Sequence, residues 1–146
     1  MRCRVVAIDL IVRNQAQEIL LGLRQNRPAR SSWFVPGGRI RKNETISQAF
    51  ERIALAELGA LPRCERFLGV FEHFYPDNFF GVDAIGTHSI ALAYECSVDS
   101  EFSAIPDQQN SDLKWWTRDA LLATEAVHAN TKMYFDSQLP VFPPVG

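Results

Sequence analysis

Two periods alternate along the chain, and each predicts an element. Val5 to Val12 is rich in β-branched residues and reads as a buried strand. Asn14-Gln15-Ala16-Gln17 has the character of a turn, and Glu18 to Leu23 is expected to return antiparallel. Arg24 to Ser32 is polar, contains Pro28 and reads as a loop. Trp33-Phe34-Val35 predicts a short strand, which Pro36-Gly37-Gly38 is expected to end. Phe67 to Tyr75 and His88 to Cys96 read as two further strands around a loop rich in Asp, Asn and Gly, and Leu113 to Thr117 as a shorter one. Residues 119–123 and 131–137 suggest short helices.

The strongest helical signal lies between Thr45 and Gly59. Thr45 and Gln48 have the spacing of a capping box, and Gly59 supplies a left-handed stop. Ile46, Ala49, Phe50 and Ile53 share one face at the helical period. Glu57 projects between Ile46 and Phe50 on that wheel, four residues after Ile53. A carboxylate on an apolar arc needs a cation or a metal, because burying it alone costs several kcal/mol (roughly). Two readings stay open for it: an acid bending out to water or to an arginine, and a metal ligand.

The residues just before the helix bear on that choice. Gly37-Gly38 is a tight corner in one reading; in the other it permits close backbone approach to a ligand, with the Gly38 carbonyl turned toward a cation. Arg39 and Arg41 follow, and Arg24 lies earlier. Taken singly, each arginine reads as a solvated surface residue. Together, a carboxylate, a carbonyl and arginines suggest a magnesium-bound phosphate group.

Composition narrows the classes. The chain has 146 residues, 47% of them hydrophobic and 22% charged, as expected for one globular core. We expect one domain over 1–139 and a Pro-rich tail over 140–146. Fifteen basic against seventeen acidic residues leave a net charge of −2, which argues against a general nucleic-acid binder. Cys3, Cys64 and Cys96 lack metal-site or disulfide-framework spacing and are expected to be reduced thiols in a cytoplasm. The start is a poor signal peptide, and no apolar run is long enough for a transmembrane helix, so no membrane partner is expected. Hairpins mixed with a few helices favour an α/β or α+β sandwich around a mixed β-sheet.

Gly38 through Ala60 resembles the signature of the Nudix hydrolases, with Gly38, Glu44, Arg52, Glu57 and Gly59 at its fixed positions. Ile53 and Ala56 stand where the general pattern has glutamates. The variant box from Phe50 to Gly59 is similar to that of the GDP-mannose mannosyl hydrolases. So are Asn26-Arg27-Pro28-Ala29, Trp33 through Arg39, His73-Phe74-Tyr75, Asp77-Asn78-Phe79, Asp119 through Ala123, and Val127-His128-Ala129-Asn130. The resemblance implies a Nudix-type α/β/α sandwich, a homodimer, a nucleotide-sugar substrate and one magnesium ion (Mg2+) on the diphosphate. It implies cleavage at the anomeric carbon of a GDP-sugar, with inversion and release of GDP and free hexose. By the same resemblance, Gly38, Glu57 and Gln109 are metal ligands, Arg24 and Arg39 hold the diphosphate, Asp9 and His73 face the sugar, and Arg52 orients the acids of the box.

The chain departs from that family at the water. Asn110 stands at the position of the base histidine, and an amide orients water without taking its proton. General-base catalysis contributes about 10²–10⁴-fold, so slow turnover is expected. We hypothesise that an aspartate (Asp107 or Asp112) or His73 partly replaces the base. Against this, both aspartates have turn-capping readings, while His88 reads as structural and His128 as a helix-start or surface residue. By the resemblance, Ser89 stands where the family has a tyrosine near the sugar, and the chain is expected to lack most of the family's N-terminal arm. Phe74, Tyr75, Phe79 and Phe80 suit either stacking on a base or packing. The rival functions are a Nudix pyrophosphatase breaking a phosphorus–oxygen bond and a nucleotide-sugar-binding module with impaired catalysis.

Overall fold

A computed structural model describes residues 3–25, 31–75, 87–102 and 110–136; the side chains of Cys3, Arg4, Tyr75, Thr87, Asn110 and Ser111 fall outside that description. The order of elements is β1 (Cys3–Arg13), β2 (Ile19–Arg24), β3 (Trp33–Phe34), β4 (Gly37–Arg39), α1 (Ile46–Leu58), β5 (Arg63–Tyr75), β6 (Thr87–Ser97), β7 (Asn110–Trp116), α2 (Arg118–Ala123) and α3 (Ala129–Lys132).

The sheet is mixed. Its path runs β3-β2-β1-β6-β5, with β4 paired to β1 and β7 to β2. β1 and β6 are parallel over their whole length, Cys3 opposite Thr87 through Arg13 opposite Ser97. The other pairings are antiparallel. On its second edge β1 meets β2 at Arg13 and Ile19, then takes β4 as its partner from Ala7 to Asp9. Two strands thus share one edge of β1, and their junction is where the Gly-Gly segment enters.

Period-two alternation sorts β1 between two cores. Ile8, Leu10 and Val12 pack with Ala49, Ile53, Ala54 and Leu58 of α1. Ile11 faces the other way, with Phe71, Ala93, Leu121, Val127 and Phe135. Helical elements on both faces make this an α/β/α sandwich of the α+β class.

Helix α1 follows its sequence signals. The Thr45 side chain accepts from the Gln48 amide, Gln48 reaches back to the Thr45 amide, and Gly59 adopts φ 76° and donates to the Leu55 carbonyl. Ala49 and Ile53 are buried, but Ile46 is 48% exposed, because the first turn overhangs the end of the core.

As expected, the strand at Trp33–Phe34 ends before Pro36-Gly37-Gly38. Beyond that end, Pro36 accepts from the Leu10 amide at 2.8 Å, and Gly37–Arg39 forms a further strand, β4, against β1. The pairing exists because Gly37 lacks a Cβ. An added Cβ would lie 2.5 Å from Asp9 Oδ1 and 2.6 Å from the Ile8 carbonyl oxygen. Cys64 and Cys96 face each other across β5 and β6 as free thiols, and burial pushes the Cys96 thiol up to about 12. The loop over 26–30, the loop over 76–86 with Asp77, Asn78, Phe79 and Phe80, and the tail from Pro140 lie outside the described residues.

Candidate active site

Glu57 is the buried acid that the helical wheel singles out. It sits in the last turn of α1, 7% exposed, and its Oε1 accepts from the Gly37 amide at 3.4 Å. That long bond is its one hydrogen bond among the described residues, which leaves most of the carboxylate's acceptor capacity unused. Gly38 lies against α1: a Cβ there would come within 3.0 Å of Ile53 Cγ1. Ile53 itself is 2% exposed and belongs to the core, so hydrocarbon fills that side of the Gly-Gly strand.

Arg52 braces the loop that leads into the helix. Its Nε donates to Glu44 Oε2 at 2.7 Å, and its Nη2 donates to Glu44 Oε1 at 2.9 Å and to the Arg39 carbonyl at 2.7 Å. Glu44 also accepts from the Arg41 amide at 2.9 Å. The Arg52 guanidinium, followed by the Arg41 amide, holds the Glu44 carboxyl well below its usual range, at about 2. The same pairing raises Arg52. Arg39 is therefore fixed through its backbone, while its side chain is exposed.

Asp9 approaches Gly37 from the other face of the sheet. It is paired with Gly37 in register, and its Oδ2 accepts from the Tyr134 hydroxyl at 2.5 Å. The Tyr134 oxygen lies 2.7 Å from His73 Nε2, and His73 Nε2 lies 3.5 Å from Asp9 Oδ2. A polar chain thus runs from Asp9 through Tyr134 to His73, and Gly37, whose amide bonds Glu57, lies opposite Asp9 in register. Tyr134 is the member that sequence reasoning missed. It stands 125 positions from Asp9 in an ordinary amphipathic stretch, just after Val127-His128-Ala129-Asn130, with no local motif to mark it.

Arg24 ends β2. Its guanidinium carbon sits 4.4 Å from the centre of the Phe34 ring, and His128 stacks on Phe34 at 4.8 Å. Asn110 is the register partner of Arg24, at an irregularity between Leu23 and Arg24. The residue at the family's base position is therefore placed directly across from an arginine expected on the diphosphate. Gln109 and Asp107 lie outside the described residues.

The remaining candidates have other bonds. Asp112 is exposed, and its Oδ1 accepts from the Leu113 amide at 2.9 Å. His128 caps α3, with Nδ1 accepting from the Asn130 amide at 3.0 Å. His88 contacts Glu72 at 2.9 Å and stacks on Phe74, itself 58% exposed. Ser89 is buried and pairs with His73 across β5 and β6.

A sequence model of the NUDIX domain matches residues 4–136. The chain belongs to the Nudix family. Over 134 residues this Nudix domain is 39% identical to the low-salt glycan biosynthesis protein Agl8 of Haloferax volcanii, covering 91% of this chain and 81% of that one. Over 66 residues it is 35% identical to an ADP-ribose pyrophosphatase of Methanocaldococcus jannaschii, covering 45% of this chain and 38% of that one. Among solved structures, a MutT protein from Methanosarcina mazei superposes with a TM-score of 0.75 at 17% identity, covering 92% and 91% of the two chains. The NUDIX domain of Shewanella oneidensis NrtR, solved with ADP ribose, gives 0.66 at 20% identity, covering 87% of this chain and 81% of that one. These likenesses fix the fold as that of a Nudix hydrolase.

Proposed function

We propose that this Nudix domain (residues 1–139, with 140–146 as a tail) hydrolyses a GDP-sugar of the GDP-mannose type at the anomeric carbon, releasing GDP and free hexose with the help of a magnesium ion. The observation that carries this reading is the single buried carboxylate. Glu57 is the one acid of α1 that is buried, Ile53 is core hydrocarbon, and Ala56 has no ligating atom. No group of three or more His, Cys, Asp or Glu suited to a metal occurs among the described residues. The donor set of the described residues fits one hard cation, completed by carbonyl oxygen, water and substrate phosphates.

Glu57, the Gly38 carbonyl and Gln109 would hold the ion, which when bound supplies Lewis-acid stabilisation to the departing diphosphate. Arg24 and Arg39 bind the same diphosphate and share the charge that develops as the sugar leaves. Asp9 and His73 bind the sugar. Asn110 orients the attacking water, and with no base there the turnover is slow. The kinship with a glycan biosynthesis protein and with proteins of ADP-ribose, itself a nucleoside diphosphate joined to a sugar, supports a substrate of this class. We further propose that the protein acts in the cytoplasm as a homodimer.

A panel of nucleotide sugars with and without magnesium tests the reading. Free hexose and nucleoside diphosphate are expected. Nucleoside monophosphate and sugar phosphate would instead establish a pyrophosphatase, and tight magnesium-dependent binding without product would establish a binding module.

A further inference from the structure

Cys64 and Cys96 are register partners in the antiparallel β5–β6 ladder. Side chains directly opposite each other in such a ladder leave the sheet on the same face. In such pairs the Cα atoms are about 4.5 or 5.5 Å apart, and a disulfide accepts either separation. Here the face is the one under α1, since Cys96 packs with Ala54 and Leu58. The two thiols sense each other directly, each entering the ionisation of the other. Just beyond the pair the ladder is irregular between Cys64 and Arg66, where Glu65 is the extra residue. That bulge gives β5, the last strand on the sheet path, local freedom to close on β6. Access is one-sided. Cys64 is exposed, whereas Cys96 is 1% exposed and its Sγ turns to the Tyr94 carbonyl at 3.8 Å.

We propose that Cys64 and Cys96 form a reversible modification site, a cross-strand dithiol that a small-molecule disulfide closes into an internal disulfide bond. Cys64, as thiolate, attacks one sulfur of the reagent, forms a mixed disulfide and expels one small thiolate, which takes up the proton that Cys64 gave. Cys96 then loses its proton, attacks the Cys64 sulfur and expels the second small thiolate, which takes that proton. Two protein thiols are thereby oxidised by two electrons, and one reagent disulfide is reduced to two thiols. The order follows from exposure: of the pair, Cys64 meets the reagent and Cys96 lies opposite to resolve the adduct. Burial first, then the Cys64 charge, hold the Cys96 thiol up, and capping Cys64 removes the second of these. A small disulfide suits the pair better than a peroxide, which selects thiols of low pKa. Partial burial of the Cys64 sulfur, then Glu65, pushes that thiol up instead. His73 and Ser89 pair toward the other end of the same ladder, so the link leaves the candidate active site alone, and the proposal stands apart from the function proposed for that site.

The test uses the chain carrying Cys3→Ser, in which the pair holds the only thiols. Treating the folded protein with oxidised glutathione is expected to give a monomer lighter by two hydrogens, with one peptide linking Cys64 to Cys96. Dithiothreitol is expected to restore the starting mass, and the closing rate is expected not to depend on protein concentration. In the same background, Cys96→Ser is expected to stop at a glutathione adduct on Cys64, and Cys64→Ser to react at least about tenfold more slowly. Unreacted protein, a persistent adduct on Cys64 where Cys96 is present, or links only between molecules overturns the proposal. Equally fast reaction of Cys64→Ser overturns the order of attack. The mass of the Cys3→Ser chain decides closure even if the Cys96→Ser variant, altered in the core, fails to fold.

Discussion

Arg52 holds Glu44 in a two-point clasp, Nε to Oε2 and Nη2 to Oε1, while the same Nη2 reaches the Arg39 carbonyl. The carboxylate, the guanidinium and the end of β4 are thereby one unit, and β4 carries the glycines on which the site is built. A forked donor matches a carboxylate in a way that a lysine cannot.

The clasp predicts a pH dependence. The Glu44 carboxyl is lowered from the ordinary 4.5 to about 2. Its contribution to stability is therefore fully present above about pH 4.5 and is lost as the pH falls through about 2. Urea midpoints of wild type and Glu44→Gln are expected to differ at pH 6 and to converge toward pH 2. A constant gap across that range would show that the ionised pair does not act. Arg52→Lys is expected to behave like Glu44→Gln at pH 6.

Glu57→Gln keeps the shape of the side chain and its acceptor for the Gly37 amide but removes the charge. Activity is expected to fall by about 100-fold or more, since the variant loses the one buried carboxylate of the box. The melting temperature is expected to stay within about 3 °C of wild type or to rise, because an uncompensated buried charge is gone. Manganese binding, followed by water proton relaxation, is expected to weaken in parallel. Wild-type affinity for the ion would remove Glu57 from the site.

The two glycines are expected to respond differently to alanine. At Gly37 the new methyl meets Asp9 Oδ1 and a backbone oxygen, at 2.5 and 2.6 Å. At Gly38 it meets Ile53 Cγ1 at 3.0 Å, a side-chain atom rather than backbone. Gly37→Ala is expected to cost about 2–3 kcal/mol and Gly38→Ala about 1 kcal/mol, read from denaturant unfolding. Equal costs would mean that β4 does not lie tightly against Asp9.

Asn110→His restores a base opposite Arg24. The expected gain in kcat is at least about tenfold, inside the range that base catalysis supplies. The pH–rate profile is expected to acquire an ascending limb near the ordinary histidine value of about 6.5. No gain would argue against a vacant base position at the register partner of Arg24.

Much of this architecture is legible in one chain where the signal is local. Thr45, Gln48 and Gly59 mark both ends of α1 because capping involves neighbours in sequence, and the wheel puts Glu57 on the apolar arc while leaving open whether the acid bends out to water. The strand at Gly37–Arg39 is not legible that way: a Pro-Gly-Gly run looks like a corner, and its partner Ala7–Asp9 lies some thirty residues upstream. The parallel match of β1 with β6 is equally non-local. Tyr134 is the clearest case, since its polar contacts are to Asp9 and His73, which lie far away in sequence on β1 and β5. The resemblance names the residues of the box, whereas the tyrosine that ties Asp9 to His73 emerges only in three dimensions.

The central claim, attack at the sugar carbon, is tested most directly by hydrolysing GDP-mannose in heavy-oxygen water and weighing the products. The account predicts the label in the released hexose and none in GDP. Label in a phosphate group, with unlabelled sugar phosphate or nucleotide as its partner, would contradict it.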